Sequence, residues 1–271
     1  MTKQYCHQLL AKAKIKFSGK QTTASHGYLY MAFGDNFYKE ACLSFRSLRR
    51  FTELPVHIIT NIEREKCIAD GFSSALTVTA YHPRSKVDYI CLTPFNNTIY
   101  LDTDIIVKMP IDEIFEIISR YDVVAAIDVS RKKWSTSQKI DEYSKIPYCF
   151  PEVNSGLLGF NTKKASKVLS TWKEVYYHYK SETDSQDQPS LRIALWRTRA
   201  SLYLLPPEFN VRSKNLIERI HAEKNEFGAD HMKPRVHHLH YSLDIHRGVY
   251  GASSLEELEE TTDPKVYTIT Y

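Results

Sequence analysis

Long apolar runs are missing from this sequence of 271 residues. A membrane-spanning helix needs about 20 consecutive, predominantly apolar residues, so we expect no membrane span. The stretch Met1–Gly27 is polar and basic, and it lacks the apolar segment that a secretory signal peptide requires. These two absences predict a cytoplasmic protein.

Cysteine is also scarce, and its spacing forms no recognisable framework. The five cysteines are Cys6, Cys42, Cys67, Cys91 and Cys149, and no C-x-x-C pair occurs. An odd number of widely spaced cysteines favours reduced thiols over a disulfide framework or a zinc site. This pattern agrees with a cytoplasmic location.

The common signatures of phosphate and nucleic-acid binding are absent as well. The loop after the first predicted strand contains neither G-x-G-x-x-G nor G-x-x-x-x-G-K, so the usual dinucleotide and P-loop interpretations lose their main support. The net charge is only +4, and Lys and Arg are scattered apart from small clusters such as Arg131-Lys132-Lys133. We therefore expect a modest attraction for anions such as nucleotide phosphates, and no nucleic-acid partner.

What the sequence does contain is a regular alternation of strand and helix patterns. In the first half, predicted strands cover residues 28–33, 55–60, 75–79 and 98–107, and predicted helices cover 36–51, 63–71 and 86–92. Further strands are predicted at 122–129, 153–161, 203–205 and 235–240, and further helices at 111–121, 162–180 and 185–196. Such alternation predicts an α/β fold with a mainly parallel central sheet flanked by helices.

Asp35 is expected to be the N-cap of the first predicted helix.

The segments between the predicted strands and helices indicate the boundaries of the domain. The stretch 130–152 is rich in Ser, Lys, Tyr and Pro, and a loop of that length is usually functional or disordered. The sequence shows no internal repeat and no linker, so we expect an N-terminal extension over residues 1–26 and one domain over residues 27–271.

Two carboxylates lie inside the fourth apolar strand pattern. Asp102 and Asp104 are flanked by three apolar residues on each side, and burying them is costly unless a positive charge lies between them. Alternate residues of an extended segment point the same way, so the pair is spaced to share a hard divalent cation through oxygen ligands. A strand-end pair that caps a turn is the ordinary alternative.

Three histidines in the last strand pattern offer a third ligand. His238 and His240 face one side of that strand, and His237 faces the other. Either imidazole of the first pair would complete a site begun by two carboxylates, and mixed nitrogen and oxygen ligands suit Mn²⁺ better than Ca²⁺. The alternative is that the three histidines are exposed polar residues of a strand and bind no metal.

Three further polar segments are candidates for ligand contacts. Arg84-Ser85-Lys86 offers a guanidinium fork and an ammonium for a phosphate, or it is a solvated helix start. Asn154-Ser155-Gly156 offers an amide and a hydroxyl for sugar hydroxyls, or it is a polar strand entry, and two glycines in its strand suggest that a ligand or another backbone lies close by. Asp187-Gln188 begins a helix, where the carboxylate either caps backbone N–H groups or belongs to the site.

An ordered set of these segments resembles the GT-A glycosyltransferases of the glycogenin and bacterial galactosyltransferase type. The matching residues are, in order, Gly34-Asp35-Asn36-Phe37, Arg84 and Lys86, Tyr100-Leu101-Asp102-Thr103-Asp104, Asn154 to Asn161, Asp187-Gln188, Phe209-Asn210 and His238-Leu239-His240. The set spans residues 27–242. The resemblance implies a single GT-A (nucleotide-diphospho-sugar transferase) domain, with a nucleotide-binding half over residues 27–129 and an acceptor-side half over residues 130–271.

The resemblance also implies roles for individual residues. Asp102 and Asp104, with His238 or His240, would hold Mn²⁺ or Mg²⁺, and Lys86 would reach the donor phosphates. Phe37 would lie against the base, and Asp35 would read it. The remaining contacts to the nucleotide-sugar are assigned to Ala32, Gly34, Thr103, Ser155 and Gly156. The residues assigned to the donor sugar, the acceptor and catalysis are Asn154, Asp187 and Gln188.

The function implied is a metal-dependent transfer of a sugar from a nucleotide-diphosphate donor, with a UDP-sugar favoured over a GDP-sugar and with retention of configuration. The acceptor is a glycan, a protein or a small molecule that the residues do not identify. Two alternatives stay open: a catalytically silent nucleotide-sugar-binding module and a sugar nucleotidyltransferase. Sugar nucleotidyltransferases usually carry a glycine-rich basic loop after the first strand. The corresponding loop here, Gly34-Asp35-Asn36-Phe37, is neither glycine-rich nor basic.

Overall fold

The computed structural model describes residues 25–128, 137–212 and 234–238. Its strands are β1 (His26–Ala32), β2 (Val56–Thr60), β3 (Ser74–Thr77), β4 (Asn97–Leu101), β5 (Ile105–Val107), β6 (Val123–Ile127), β7 (Val153–Asn161), β8 (Leu202–Leu205) and β9 (Val236–His238). Its α-helices are α1 (Asp35–Arg49), α2 (Arg64–Ala69), α3 (Lys86–Tyr89), α4 (Ile114–Ile118), α5 (Asp141–Ser144), α6 (Ser166–Tyr179) and α7 (Gln188–Thr198). Two 3₁₀ turns cover Ile90–Leu92 and Pro207–Phe209.

A seven-stranded sheet lies at the centre, in the order β3-β2-β1-β4-β7-β6-β8. Strand β7 is antiparallel to both of its neighbours, β4 and β6, and the other pairs of this sheet are parallel. The predicted α/β class with a mainly parallel central sheet is therefore confirmed. Strands β5 and β9 form a separate antiparallel pair.

Apolar side chains cover both faces of the central sheet, and β1 shows this most clearly. Tyr30 and Ala32 belong to a core cluster with residues of α1. Leu29 and Met31 belong to a second cluster with residues of α6. Because successive side chains of a strand point to opposite faces, a strand covered on both sides needs a nearly continuous apolar sequence.

The order of the strands creates a switch point between β1 and β4. The chain leaves β1 toward β2 and β3 on one side, and it returns to β4 on the other side. Such a reversal opens a crevice beyond the carboxyl ends of the two strands, where ligands of open α/β sheets bind. Phe33 and Gly34 follow β1 at this edge, and Asp102 follows β4.

The two aspartates lie in a turn, which corrects the prediction that they occupy alternate positions of one strand. Strand β4 ends at Leu101 and β5 begins at Ile105. The Ile105 N–H donates to the Asp102 carbonyl oxygen at 3.4 Å. The turn is needed because β4 pairs within the central sheet whereas β5 pairs with β9 outside it.

The start of α1 also differs from the prediction, because Gly34 rather than Asp35 is its N-cap. Gly34 has a φ of 88°, a left-handed conformation that glycine adopts without a Cβ clash. Its N–H donates to Asn61 Oδ1 at 2.7 Å. Asp35 is instead the first helical residue, where a carboxylate interacts favourably with the helix dipole.

The predicted loop 130–152 contains a short helix, Asp141–Ser144, and its described part is tied to α7. Arg192 of α7 is fully buried, and it donates to the carbonyl oxygens of Pro147 and Phe150, each at 3.0 Å. A local pattern could not predict this helix, because its position depends on an arginine far along the chain.

The proposed division of the domain into two halves stays a prediction, and residues 1–24 of the predicted extension lie outside the described residues. Within the described ranges, no helix has both the length and the apolar character needed to cross a lipid bilayer.

The fold should lose stability below neutral pH because of His57. This side chain is buried in β2, and burial lowers its pKa from 6.5 to about 4. Between pH 6.5 and about pH 4, the His57 imidazole is therefore protonated in the unfolded chain but neutral in the folded chain. The free energy of unfolding should therefore fall by about 2 kcal/mol between pH 7 and pH 5 from this residue alone.

Urea unfolding at both pH values measures this effect, with His57→Gln as the comparison. We expect the variant to lose less stability than the wild type over the same interval. An equal loss in both proteins would show that His57 does not cause the pH dependence.

Candidate functional site

Asp102, Asp104 and His238 form a compact cluster at the switch point. His238 Nε2 lies 3.3 Å from Asp104 Oδ1 and 3.8 Å from Asp102 Oδ2. One ligand atom from each of the three residues lies within 4.8 Å of the others. The alternative His240 lies outside the described residues.

Strand pairing brings the histidine to the aspartates. In the antiparallel pair of β5 and β9, His238 lies opposite Ile105, which directly follows Asp104. The His238 N–H also donates to the carbonyl oxygen of Val211 at 3.0 Å. The register therefore places a residue from the end of the described chain beside the turn after β4.

The hydrogen bond of the other ring nitrogen fixes the orientation of the His238 ring. His238 Nδ1 lies 3.0 Å from Asn210 Oδ1. A carboxamide oxygen only accepts, so Nδ1 carries the proton and the Nε2 lone pair faces the two carboxylates. Such an orienting partner is typical of metal-binding histidines. One imidazole nitrogen and two carboxylates therefore fit a divalent cation such as Mn²⁺.

Gly156 allows this close approach. A Cβ at Gly156 would lie 2.1 Å from His238 Cε1 and 2.9 Å from Asn154 Oδ1. The Gly156 carbonyl oxygen accepts the Asp102 N–H at 2.7 Å, and the Gly156 N–H donates to Asn154 Oδ1 at 2.8 Å. The two glycines of β7 were expected to mark the approach of a ligand or another backbone, but the group that approaches Gly156 is the side-chain ring of His238.

Lys86 is a buried cation between two carboxylates. Its Nζ lies 3.1 Å from Asp102 Oδ1 and 3.4 Å from Asp187 Oδ2, and it donates to Ser155 Oγ at 2.9 Å. Burial alone would lower the pKa of Lys86, but the charges of Asp102 and Asp187 raise it above its usual value. The side chain therefore stays charged and faces the site, and it is not part of a solvated helix start.

Asp187 precedes α7, but its carboxylate does not cap the helix. Instead, Oδ2 accepts from Ser155 Oγ at 2.6 Å, and Oδ1 lies 3.6 Å from Arg84 Nε. Burial favours a higher pKa for Asp187, but Lys86, Arg84 and the Ser155 hydroxyl together lower it below its usual value. The helix start thus delivers a buried anion to the site rather than a cap.

These groups line a cavity of about 350 Å³, which we call the polar cavity. Five Asp or Glu side chains and three Arg or Lys side chains line it, so its wall has an excess of negative charge that favours a bound cation. The predicted residues in this lining are Arg84, Lys86, Asp102, Asp104, Asn154, Ser155, Gly156, Asp187, Gln188 and His238.

A second cavity of about 570 Å³, the aromatic cavity, shares Arg84, Lys86 and the two aspartates with the first. The rings of Phe33 and Tyr81 stack in its wall, with centroids 5.1 Å apart and planes 9° apart. Phe37 also lines it and is 52% exposed. Flat apolar walls of this kind suit a planar ring.

Thr103 also lines the aromatic cavity, and it connects the turn between β4 and β5 to α1. Its hydroxyl donates to Glu40 Oε2 at 2.9 Å. Glu40 is buried at the wall of the same cavity. The turn that carries Asp102 and Asp104 is thereby held to the helix that carries Phe37.

Three residues assigned to the donor are placed elsewhere. Ala32 is buried in the core, because alternate residues of β1 face opposite sides, and Met31 and Phe33 line the aromatic cavity instead. Within the described part of the chain, neither Gly34 nor Asp35 lines either cavity.

Several residues of the site were not predicted from the sequence. Asp128, Glu152 and Arg212 line the polar cavity. A signal existed for Asp128, which follows β6 at the same sheet edge as Asp102 follows β4. No local signal indicated that Asn210 would orient His238, because that contact depends on the packing of distant segments.

Comparisons with known proteins identify the family and the fold of the chain. The model of Glycosyl transferase family 8 matches residues 29–243. No curated protein matched the sequence. Among solved structures, the chain is similar to galactosyltransferase LgtC in complex with donor and acceptor sugar analogs, with a TM-score of 0.60 and 14% identity, covering 90% of this chain and 97% of that chain.

Two further structures are similar to the chain. An active-site mutant of LgtC has a TM-score of 0.53 and 15% identity, covering 79% of this chain and 87% of that chain. Mouse xyloside xylosyltransferase 1 in its apo form has a TM-score of 0.52 and 12% identity, covering 80% of this chain and 98% of that chain. These likenesses confirm the predicted GT-A fold.

Proposed function

The chain belongs to glycosyl transferase family 8 and is a glycosyltransferase, and on this premise we propose that it is metal-dependent, uses a UDP-sugar and retains the anomeric configuration. The observation that carries the proposal is the position of Asp102, Asp104 and His238. Their cluster lies where the aromatic and polar cavities meet, next to the buried ammonium of Lys86.

The two cavities match the two ends of a nucleotide-sugar. We propose that the base lies in the aromatic cavity against the Phe33–Tyr81 pair and Phe37. The diphosphate then reaches the junction of the cavities, where Arg84 and Lys86 are shared by both walls. The sugar extends into the polar cavity toward Asn154 and the start of α7.

The residues at the junction stabilise the leaving group. Negative charge builds on the β-phosphate as the glycosidic bond breaks, and preorganised cations lower the energy of that charge. Lys86 offers a point charge and Arg84 a planar fork for phosphate oxygens. Asp102, Asp104 and His238 would hold the divalent cation, which as a Lewis acid stabilises the same diphosphate when bound.

The residues of the polar cavity suit the sugar. Asn154 is buried, and its Nδ2 has no hydrogen-bond partner among the residues that the structure describes. A buried amide donor left unsatisfied is costly, and a sugar hydroxyl would satisfy it. Asp187 remains anionic because Lys86 and Arg84 lower its pKa, which suits the positive charge of an oxocarbenium-like transition state.

A donor screen tests this proposal. We expect nucleotide release in Mn²⁺ to be fastest with a UDP-sugar, and chelation with EDTA to slow it by about 100-fold or more. In proton NMR spectra of the product, we expect the transferred sugar to have the same anomeric configuration as it has in the donor. Release that is equal with and without metal would contradict metal dependence.

Two further measurements separate the alternative functions. Mn²⁺-dependent UDP binding in a calorimeter, without turnover of any donor, would indicate a silent binding module. Pyrophosphate release from a nucleoside triphosphate and a sugar phosphate would indicate a nucleotidyltransferase. Either result would overturn the proposed transfer reaction.

A further inference from the structure

The side chain of Gln188 is held by a hydrogen bond at the wall of the polar cavity. Its Nε2 donates to Asp128 Oδ2. We propose that Asp128 and Arg212 are positioning residues that hold the Gln188 carboxamide in one orientation, with its oxygen rather than its nitrogen toward the polar cavity. The inference deepens the proposed function, because it rests on a sugar binding in that cavity.

The charge of Asp128 is maintained by a buried partner. Asp128 Oδ1 lies 2.9 Å from Arg212 Nη1, and the two side chains are only 2% and 8% exposed. A buried carboxylate keeps its charge when a cation lies this close. The guanidinium therefore maintains Asp128 as an anion at the back of the cavity wall.

An anionic carboxylate decides which end of the amide faces it. Carboxylate oxygens only accept hydrogen bonds, whereas a carboxamide has a donating nitrogen and an accepting oxygen. Only the nitrogen of Gln188 can therefore face Asp128, since its oxygen would meet a second acceptor. With the nitrogen committed to Asp128, the oxygen is left for a ligand in the polar cavity.

The orientation matters for glycosyl transfer. The sugar ring gains positive charge in an oxocarbenium-like transition state, and a preorganised amide oxygen nearby stabilises that charge. A rotated amide would present its positive end instead and would oppose the same charge. Asp128 and Arg212 would thus act on the reaction through Gln188, without touching the reacting atoms.

The fold anchors both positioning residues. The Asp128 N–H donates to the Glu152 carbonyl oxygen at 2.8 Å, which ties it to the start of β7. Arg212 follows Val211, whose carbonyl oxygen accepts the His238 N–H. The pair therefore links the segment beside His238 to the start of α7, where Gln188 lies.

A double-mutant cycle tests the inference. Asparagine at position 128 has a donating NH₂ group, so Asp128→Asn would allow the Gln188 amide to rotate. We expect Asp128→Asn to lower kcat for donor turnover by about 10- to 100-fold with little change in the donor KM. In a Gln188→Ala background the same substitution should have almost no further effect. Equal losses in both backgrounds would overturn the inference.

Two Arg212 variants test the other half of the pair. Arg212→Met should lower kcat in the same way, and Arg212→Lys should recover most of the lost activity because it restores a cation beside Asp128. Loss of kcat to the same extent in both variants, with both proteins folded by circular dichroism, would contradict the role of the charge.

A spectroscopic test does not depend on turnover. The side-chain amide signals of Gln188 in a ¹H–¹⁵N spectrum can be assigned by their loss in Gln188→Ala. We expect Asp128→Asn to shift these signals and to speed their exchange with solvent. Unchanged signals would overturn the inference, whereas shifted signals without turnover of any donor would overturn only the proposed function.

Discussion

Asp104→Asn should lower donor turnover by about 100- to 1000-fold and weaken Mn²⁺ binding by a similar factor. Asparagine keeps the shape of the side chain but removes the charge that faces His238 Nε2 at 3.3 Å. The fold should survive, because the substitution is isosteric. Isothermal titration with Mn²⁺ measures the affinity without substrate, and nucleotide release measures the turnover.

Asp141→Asn is the matched control. Asp141 is exposed and forms a surface ion pair with Lys145 at 2.6 Å, a type of contact that contributes little to stability. We expect this variant to bind Mn²⁺ and to turn over the donor as the wild type does. If Asp104→Asn also retained both properties, the cluster would not be a metal site, and the proposed function would lose its main support.

Gly156→Ala should have the second-largest effect, although it adds only one methyl group. That methyl carbon would lie 2.1 Å from the His238 ring. The ring cannot move away easily, because His238 is 1% exposed and its Nδ1 is bonded to Asn210. We expect Mn²⁺ affinity to fall by about 10- to 100-fold and the free energy of unfolding to fall by about 1–3 kcal/mol.

Gly159→Ala on the same strand separates the two effects. Its Cβ would lie 3.0 Å from Ile118 Cδ1, the end of an apolar side chain that belongs to the hydrophobic core and lines neither cavity. We expect a loss of stability without a loss of Mn²⁺ affinity, measured by urea unfolding and by titration. Wild-type Mn²⁺ affinity in folded Gly156→Ala would show that the position of His238 is not needed for the metal.

Much of the fold could be predicted because the signals are local. The alternation of strand and helix patterns indicated the α/β class and most of the element order, and the limits of β7 agree with the predicted 153–161. The predictions were wrong where a distant contact competes with a local preference. Gly34 replaces Asp35 as the N-cap because its N–H bonds to Asn61, and the turn at Asp102 forms because β5 pairs with β9.

The candidate site could be predicted in its chemistry but not in its geometry. Asp102, Lys86 and Asp187 were singled out by residue type and position in the pattern, and all three line the polar cavity. The sequence left open whether Asp187 caps its helix, because both roles need the same residue at the same place. Packing decides between them, since the carboxylate is buried against Ser155 and Lys86.

The sequence by itself therefore determined the class of the fold and the set of chemical groups, because periodicity and residue type are properties of neighbouring residues. The tertiary structure decided which of these groups meet. Strand register places His238 beside Asp104, the missing side chain of Gly156 makes room for its ring, and Arg212 reaches Asp128. These contacts join residues that are far apart in the chain, and no local pattern records such distances.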